Sequence, residues 1–238
     1  MGGLARRAAY LLDKNDDSPR IVVGGAYEFT HKVGDDPGAS TLGALAQAYD
    51  FMNYDVSLLA DEEQQMLNDA GIEPPAPWKT AEEQPVSIIR TSGYTVGFLR
   101  FPALPEDTDI PDAMLVEQVT RLVAKTRPEV DLLVGLSSWG AYGEKAYLDQ
   151  RPDEVPDILL GGGRGMSFVK RFASGDRVLW SRPYPRGKTV TRVSIGQLPE
   201  GEDFEWSNDT VSVGSILLDD SIYEHPDVRG IFEKADTK

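Results

Sequence analysis

The strand-like run Asp157-Ile158-Leu159-Leu160 leads into Gly161-Gly162-Gly163-Arg164-Gly165. Glycine-rich loops after strands cradle phosphates through their backbone amides, or simply let the chain turn. A dinucleotide fingerprint needs G-x-G-x-x-G between a strand and a helix. Gly161 and Gly163 meet its first half, but Met166 stands where the last glycine belongs. The residues beyond read as a strand, so no helix N-terminus would face a pyrophosphate. Gly187-Lys188-Thr189 ends like a P-loop, yet Arg182 holds the upstream glycine position, and Pro183 and Pro185 remove needed amides. Asp61-Glu62-Glu63 offers oxygen ligands for a hard cation, although acids also collect at helix starts for dipole reasons alone. Ser137-Ser138 follows a strand as a nucleophile would. A G-x-S-x-G elbow is absent, and only His31 and His225 could supply a base. Trp139 reads as packing. Arg182, Arg186, Lys188 and Arg192 form a local basic cluster that could meet an anion or balance nearby carboxylates.

The totals narrow the partners. Over 238 residues, 39 acidic against 24 basic side chains give a formal charge of −15. Nucleic acid and anionic membranes both call for a positive surface, so neither is expected as a partner. No apolar run approaches the roughly 20 residues that span a bilayer, so no transmembrane segment is expected. With no cysteine, disulfides, thiolate catalysis and zinc–thiolate sites are excluded. Two histidines cannot build a His-rich metal centre.

Periodicity supplies the elements that would position these groups. Leu4, Ala8, Leu11 and Leu12 place an amphipathic helix over residues 3 to 13. Ile21-Val22-Val23 is a short strand ending at Gly24-Gly25. Leu42, Leu45, Ala46, Tyr49 and Met52 share a helical face. A buried strand follows from Asp55 to Leu59, then a helix from Asp61 to about Ala70, stopped by Gly71. PPAPWKTAEEQP reads as a surface linker. VSIIRTSGYTVGFLRF reads as a hairpin turning at Ser92-Gly93. A helix spans 112 to 126 with a stripe of Leu115, Val119, Leu122 and Val123. Asp131 to Leu136 and Asp157 to Leu160 are buried strands. SFVKRFASGDRVLWSRP is a second hairpin, tipped at Ser174-Gly175-Asp176. KTVTRVSIGQL and TVSVGSILL are later strands, and the tail closes as a short helix. The alternation gives one α/β domain over residues 1–238 with central strands covered on both faces.

In order, these segments resemble a known family. Gly2-Gly3-Leu4-Ala5-Arg6-Arg7-Ala8 is similar to the helix opening of the 5′-nucleotidase and UDP-sugar hydrolase branch of the calcineurin-like metallophosphatases. Ile21-Val22-Val23-Gly24-Gly25-Ala26-Tyr27 stands where that family has a strand ending in an acidic G-D motif. The stretch from Asn53 to Glu63, NYDVSLLADEE, resembles the approach to its G-N-H-E motif. Val130 to Gly140, VDLLVGLSSWG, resembles V-D-L-V-I-x-L-S-H-x-G. Asp157 to Gly165 resembles D-x-I-L-G-G-H-x-H. Leu218 to Val228, LDDSIYEHPDV, resembles the closing L-D-x-S-I-x-E-x-P-x-V. The likeness runs in register to about residue 236.

That resemblance implies a metallophosphatase-like β-sandwich of two mixed sheets flanked by helices. The family's first central strand and its D-x-H motif would fall before residue 2, so the resemblance implies either that 1–238 is a piece of a longer chain or that the domain stands with a smaller sheet lacking that strand. It also implies that the metal-ligand positions are held by Tyr27, Asp61, Glu62, Ser138, Gly163 and Gly165, with glycine standing where two loop histidines would. Two-metal phosphoester hydrolysis needs two cations roughly 3.5–4 Å apart, held by side-chain donors. Glycine offers none, so no metal, no cofactor and no family-type hydrolysis are expected. The expected role is binding or scaffolding in the cell envelope or periplasm, toward a protein partner or a small anionic ligand. Arg164 and Glu63 are the candidate ligand contacts. Two alternatives remain. One is a hydrolase rebuilt from Tyr27, Asp61, Glu62, Ser138 and Arg164. The other is an anion-binding module built on Arg164 and the glycine amides.

Overall fold

Every position from Leu132 to Ser137 and from Val178 to Arg182 is buried, the pattern of strands covered on both faces. The computed structural model describes residues 3–13, 19–30, 37–150, 152–184, 187–201 and 203–235. Its elements begin with α1 (Leu4–Leu11), β1 (Val23–Gly24), α2 (Ala39–Phe51), β2 (Val56–Leu58), α3 (Asp61–Asp69), β3 (Trp78–Lys79), β4 (Val86–Arg90) and β5 (Thr95–Arg100). They continue with α4 (Ala113–Thr126), a 3-10 turn (Arg127–Glu129), β6 (Leu132–Ser137), α5 (Gly140–Asp149), β7 (Ile158–Gly161), β8 (Phe168–Ala173), β9 (Val178–Arg182), β10 (Thr189–Ile195), β11 (Val211–Leu217) and α6 (Pro226–Ala235).

A six-stranded mixed sheet runs in the order β4-β5-β6-β7-β9-β8. Its centre, β5-β6-β7-β9, is parallel, and each end closes with an antiparallel hairpin. The β8–β9 hairpin turns at Ser174, Gly175 and Asp176, all with positive φ, as the polar and glycine residues there foretell. A second layer holds three short parallel strands, β1-β2-β3, and a separate antiparallel ribbon, β10–β11. One apolar cluster, including Val56, Phe98, Leu136 and Val211, fills the space between the layers. A second lies under α4 and α5, and a third under α1, α2 and α6. The architecture is therefore a mixed α/β sandwich of several sheets with helices outside. Among the described residues, no helix is long and apolar enough to cross a membrane.

Arg100 ties the two layers together. It is almost fully buried, donates from Nε to the Ser57 carbonyl at 2.7 Å, and reaches the Gln84 carbonyl and Ser87 Oγ at 2.9 Å each. Burial lowers its pKa to about 10, because the low-dielectric interior penalises the charged form.

Three elements depart from the sequence reading. The supposed surface linker at 74–85 contains β3, because fully buried Trp78 anchors it against Phe29, Tyr49 and Tyr54, with ring centroids 4.7–5.9 Å apart. The buried stripe of α4 runs through Val116, Val119, Val123 and Thr126, leaving Leu115 and Leu122 half-buried. Helix α5 has no counterpart in the periodicity. Its buried face is Gly140, Gly143, Glu144, Tyr147 and Leu148, too poor in aliphatic residues to give an apolar stripe.

Candidate functional site

The glycine loop follows β7 and packs down on the start of α5. The Gly140 amide donates to the Gly162 carbonyl at 3.1 Å, and the Ala141 amide to the Arg164 carbonyl at 2.8 Å. Two amides at the helix N-terminus, which lack intrahelical acceptors, are thus capped by loop carbonyls. The glycines are required by this approach. Gly163 has φ of 75°, and a Cβ there would lie 2.7 Å from the Ser138 carbonyl oxygen and 3.1 Å from the Tyr27 ring. Gly165 has φ of 113°, and its Cβ would lie 2.5 Å from that of Ala141. Both conformations favour glycine. The loop turns the chain and closes a helix end.

Below it sits a buried ion pair that sequence reasoning missed. Glu144 on α5 and Arg182 on β9 are both buried, with Oε1 2.5 Å from Nη1. Glu144 also accepts from Trp180 Nε1 at 2.8 Å and from the Gly162 amide at 3.2 Å. Arg182 donates onward to the carbonyls of Gly163, Arg164 and Met166, each at 3.0 Å. The pair therefore holds the glycine loop by its oxygens. Burial pushes the Glu144 carboxyl up to about 6, with Arg182 pulling the other way. Arg182 is thus no part of an exposed basic cluster. Lys188 and Arg192 are exposed, and Arg186 lies outside the described residues.

The second buried carboxylate is Glu63, in the first turn of α3. Its Oε2 accepts from the Tyr27 amide at 2.8 Å and the Ala60 amide at 3.2 Å, and its Oε1 from the Phe29 amide at 2.7 Å. The loop after β1 is pinned to α3 by these bonds. Burial raises the Glu63 pKa to about 7 against the pull of the three amides.

The positions singled out in the sequence do converge. The Tyr27 ring approaches Gly163, whose other neighbour is the Ser138 carbonyl. The Tyr27 phenol, pushed up to about 12, owes that first to burial and then to Glu62, Glu63 and Asp61 nearby, with Arg164 opposing. Tyr27 itself adopts a positive φ of 65°, uncommon outside glycine and asparagine. Asp61 and Glu62 are exposed, and Ser138 is half-buried. Trp139 is packing, as expected: it is buried against Phe101 and Tyr147 and donates to the Pro102 carbonyl at 2.5 Å. His31 lies outside the described residues. His225 packs on Phe51 near α6, and its amide donates to the Ala5 carbonyl.

The residues at these positions do not fit a two-cation centre. Gly163 and Gly165 offer neither a side-chain donor nor room for one, and both Glu63 oxygens are taken by backbone amides. Among the described residues, no group of three or more His, Cys, Asp or Glu is gathered so as to hold a metal ion.

No family model matches the chain, and no curated protein matches it in sequence. Solved structures do. A sulfate thiohydrolase, SoxB, of Termus thermophilus superposes with a TM-score of 0.70 at 14% identity, covering 100% of this chain and 47% of its own. A putative 5′-nucleotidase of Staphylococcus aureus gives 0.65 at 15% identity, over 100% of this chain and 53% of its own. The calcineurin-like phosphoesterase YfkN of Bacillus subtilis gives 0.66 at 14% identity, over 99% of this chain and 88% of its own. The chain thus spans about half the length of the first two. At such identities the likeness is one of fold: this chain folds as the metallophosphatase-like domain of calcineurin-like phosphoesterases and 5′-nucleotidases.

Proposed function

We propose that residues 1–238 form one catalytically inactive metallophosphatase-like domain that works by binding or scaffolding, in the cell envelope or periplasm. One observation carries the reading. Where the resemblance calls for loop histidines, the chain has Gly163 and Gly165, in positive-φ conformations and packed too closely for any side chain. Metal-assisted hydrolysis depends on ligands that fix coordination geometry, and these positions supply none. The envelope placement rests on the resemblance alone.

A rebuilt hydrolase site has one observation in its favour, the gathering of Tyr27, Asp61, Glu62 and Arg164. A phenol held near 12 is a poor proton carrier at neutral pH, which weighs against it. Metal content and turnover decide between the two. The protein is incubated with manganese or zinc, desalted, analysed for metal, and assayed on a chromogenic phosphodiester and a nucleotide. The expected result is no stoichiometric metal and no turnover above the no-protein rate. Turnover abolished by Asp61→Asn or Tyr27→Phe would overturn the inactive reading.

A further inference from the structure

Large apolar side chains are exposed around the glycine loop. Tyr142, in the first turn of α5, is 73% exposed. On one side, the Asp109 carbonyl sits 3.0 Å from where a Gly143 Cβ would be, which brings the 104–112 loop against this turn. That loop presents Ile110 at 59% exposure, and Met114 follows at 74%. On the other side, Gly165 abuts Ala141, and the next residue, Met166, is 63% exposed. The two loops thus flank the first turn of α5, and each of the three carries an exposed apolar side chain. Large apolar side chains exposed close together mark interaction sites more often than chance, and Tyr and Met are enriched in such interfaces.

The charge beside these side chains is acidic on the side of the 106–112 loop, while Arg164 and the Asp149-paired Lys145 are the exposed cations on the other. Glu106, Asp107, Asp109 and Asp112 are exposed, and among the described residues no ion pair engages them. From Phe101 to Thr120 the chain has no Lys or Arg. A second copy of a chain with net charge −15 would bring acidic loop against acidic loop, and an anionic membrane would be repelled likewise. We propose that Ile110, Tyr142 and Met166, with the acidic 106–112 loop, form a docking face for a basic polypeptide whose apolar side chains seat on those three. This names the partner class for the binding role above and rests on that reading. The carboxylates steer the encounter, and the apolar groups supply the affinity.

The test uses the full chain and a short synthetic peptide alternating Leu or Trp with Lys, dye-labelled and read by fluorescence anisotropy. Its twin carries Glu in place of Lys. The expected result is saturable binding of the Lys peptide only, weakened roughly tenfold or more in Tyr142→Ser/Met166→Ser. Glu106→Gln/Asp107→Asn/Asp109→Asn lowers affinity several-fold and flattens the salt dependence. Asp50→Asn/Glu73→Gln/Asp209→Asn, which removes as much charge elsewhere, leaves binding unchanged. Equal losses from both charge sets, or none from the apolar variant, would reduce the attraction to net charge and overturn the proposal. So would sedimentation as a dimer that the Tyr142 variant dissolves, or flotation with vesicles. The phosphoester assay on the same preparation reports separately on the inactive reading, since turnover would sink that reading while leaving the binding result legible.

Discussion

Glu144, under the glycine loop, and Glu63, under the loop after β1, are both fully buried carboxylates, yet they are held in different ways. Glu144 has a cation, Arg182, that reaches past it to three loop carbonyls. Glu63 has only backbone amides. Burial raises both pKa values, to about 6 for Glu144 and about 7 for Glu63. In Glu144 the Arg182 charge opposes the rise, and in Glu63 the three amides do. A buried ion pair makes each partner costly to remove singly, and a carboxyl whose pKa burial raises makes stability depend on pH in either setting.

The largest expected effect follows from the first case. Glu144→Gln leaves the Arg182 guanidinium buried without its counter-charge, and should cost about 3–5 kcal/mol in urea unfolding. Arg182→Met should cost a similar amount. The double variant should lose clearly less than the sum of the two, because neither uncompensated charge remains. Strict additivity would mean the two side chains do not act as a pair.

The second case predicts a pH effect. A carboxyl whose folded pKa lies above its unfolded value binds its proton more tightly in the folded state. The stability it contributes is complete below the unfolded value near 4.5 and is lost as pH rises through about 7 for Glu63 and about 6 for Glu144. Unfolding free energy should therefore fall from pH 4.5 to 7.5, by on the order of 2 kcal/mol from Glu63. Glu63→Gln cannot titrate and should flatten its share of the slope, whatever its absolute stability. If the wild-type curve falls no faster than that of Glu63→Gln through this range, the three amides outweigh desolvation.

Gly163→Ala probes the loop that Glu144 and Arg182 support. Its positive φ disfavours any Cβ, and the added carbon meets the Ser138 carbonyl, so a loss of at least about 1–2 kcal/mol is expected. Gly93→Ala, in an open turn with nothing near its Cβ position, should cost much less. Equal losses would remove the argument that close packing fixes glycine at 163.

Much of this corner was legible in the sequence. The strand, glycine loop and following strand from Asp157 to Ala173 read correctly, because apolar runs and glycines mark them directly. The convergence of Tyr27, Ser138 and Gly163 came from the order of whole segments rather than from any single motif. The pair that holds the corner was not legible. Glu144 lies on a helix with glycines on its buried face, and a lone glutamate in such a helix is ordinarily solvated. Arg182 sat among other basic residues that read as meeting an anion or balancing nearby carboxylates, and nothing in the sequence named Glu144 as its partner. Trp78 was hidden between prolines, although one fully buried indole suffices to hold a two-residue strand. Burial that depends on a partner far along the chain leaves no periodic trace.

The smallest effect sharpens the contrast most closely. Lys145 is the neighbour of Glu144 on the same helix, and it too forms an ion pair, with Asp149 one turn on. Both partners are well over half exposed. In water the Coulomb gain is small and offset by the entropy of ordering two long side chains, so Lys145→Ala should change stability by no more than about 0.5 kcal/mol. Adding salt should erase what effect there is, while leaving the Glu144 loss nearly intact, because buried charges are screened far less. If Lys145→Ala instead cost as much as Glu144→Gln, burial would not be what separates the two pairs. The helix itself would then have to be the weak element, and the glycine loop that caps it would be the next place to look.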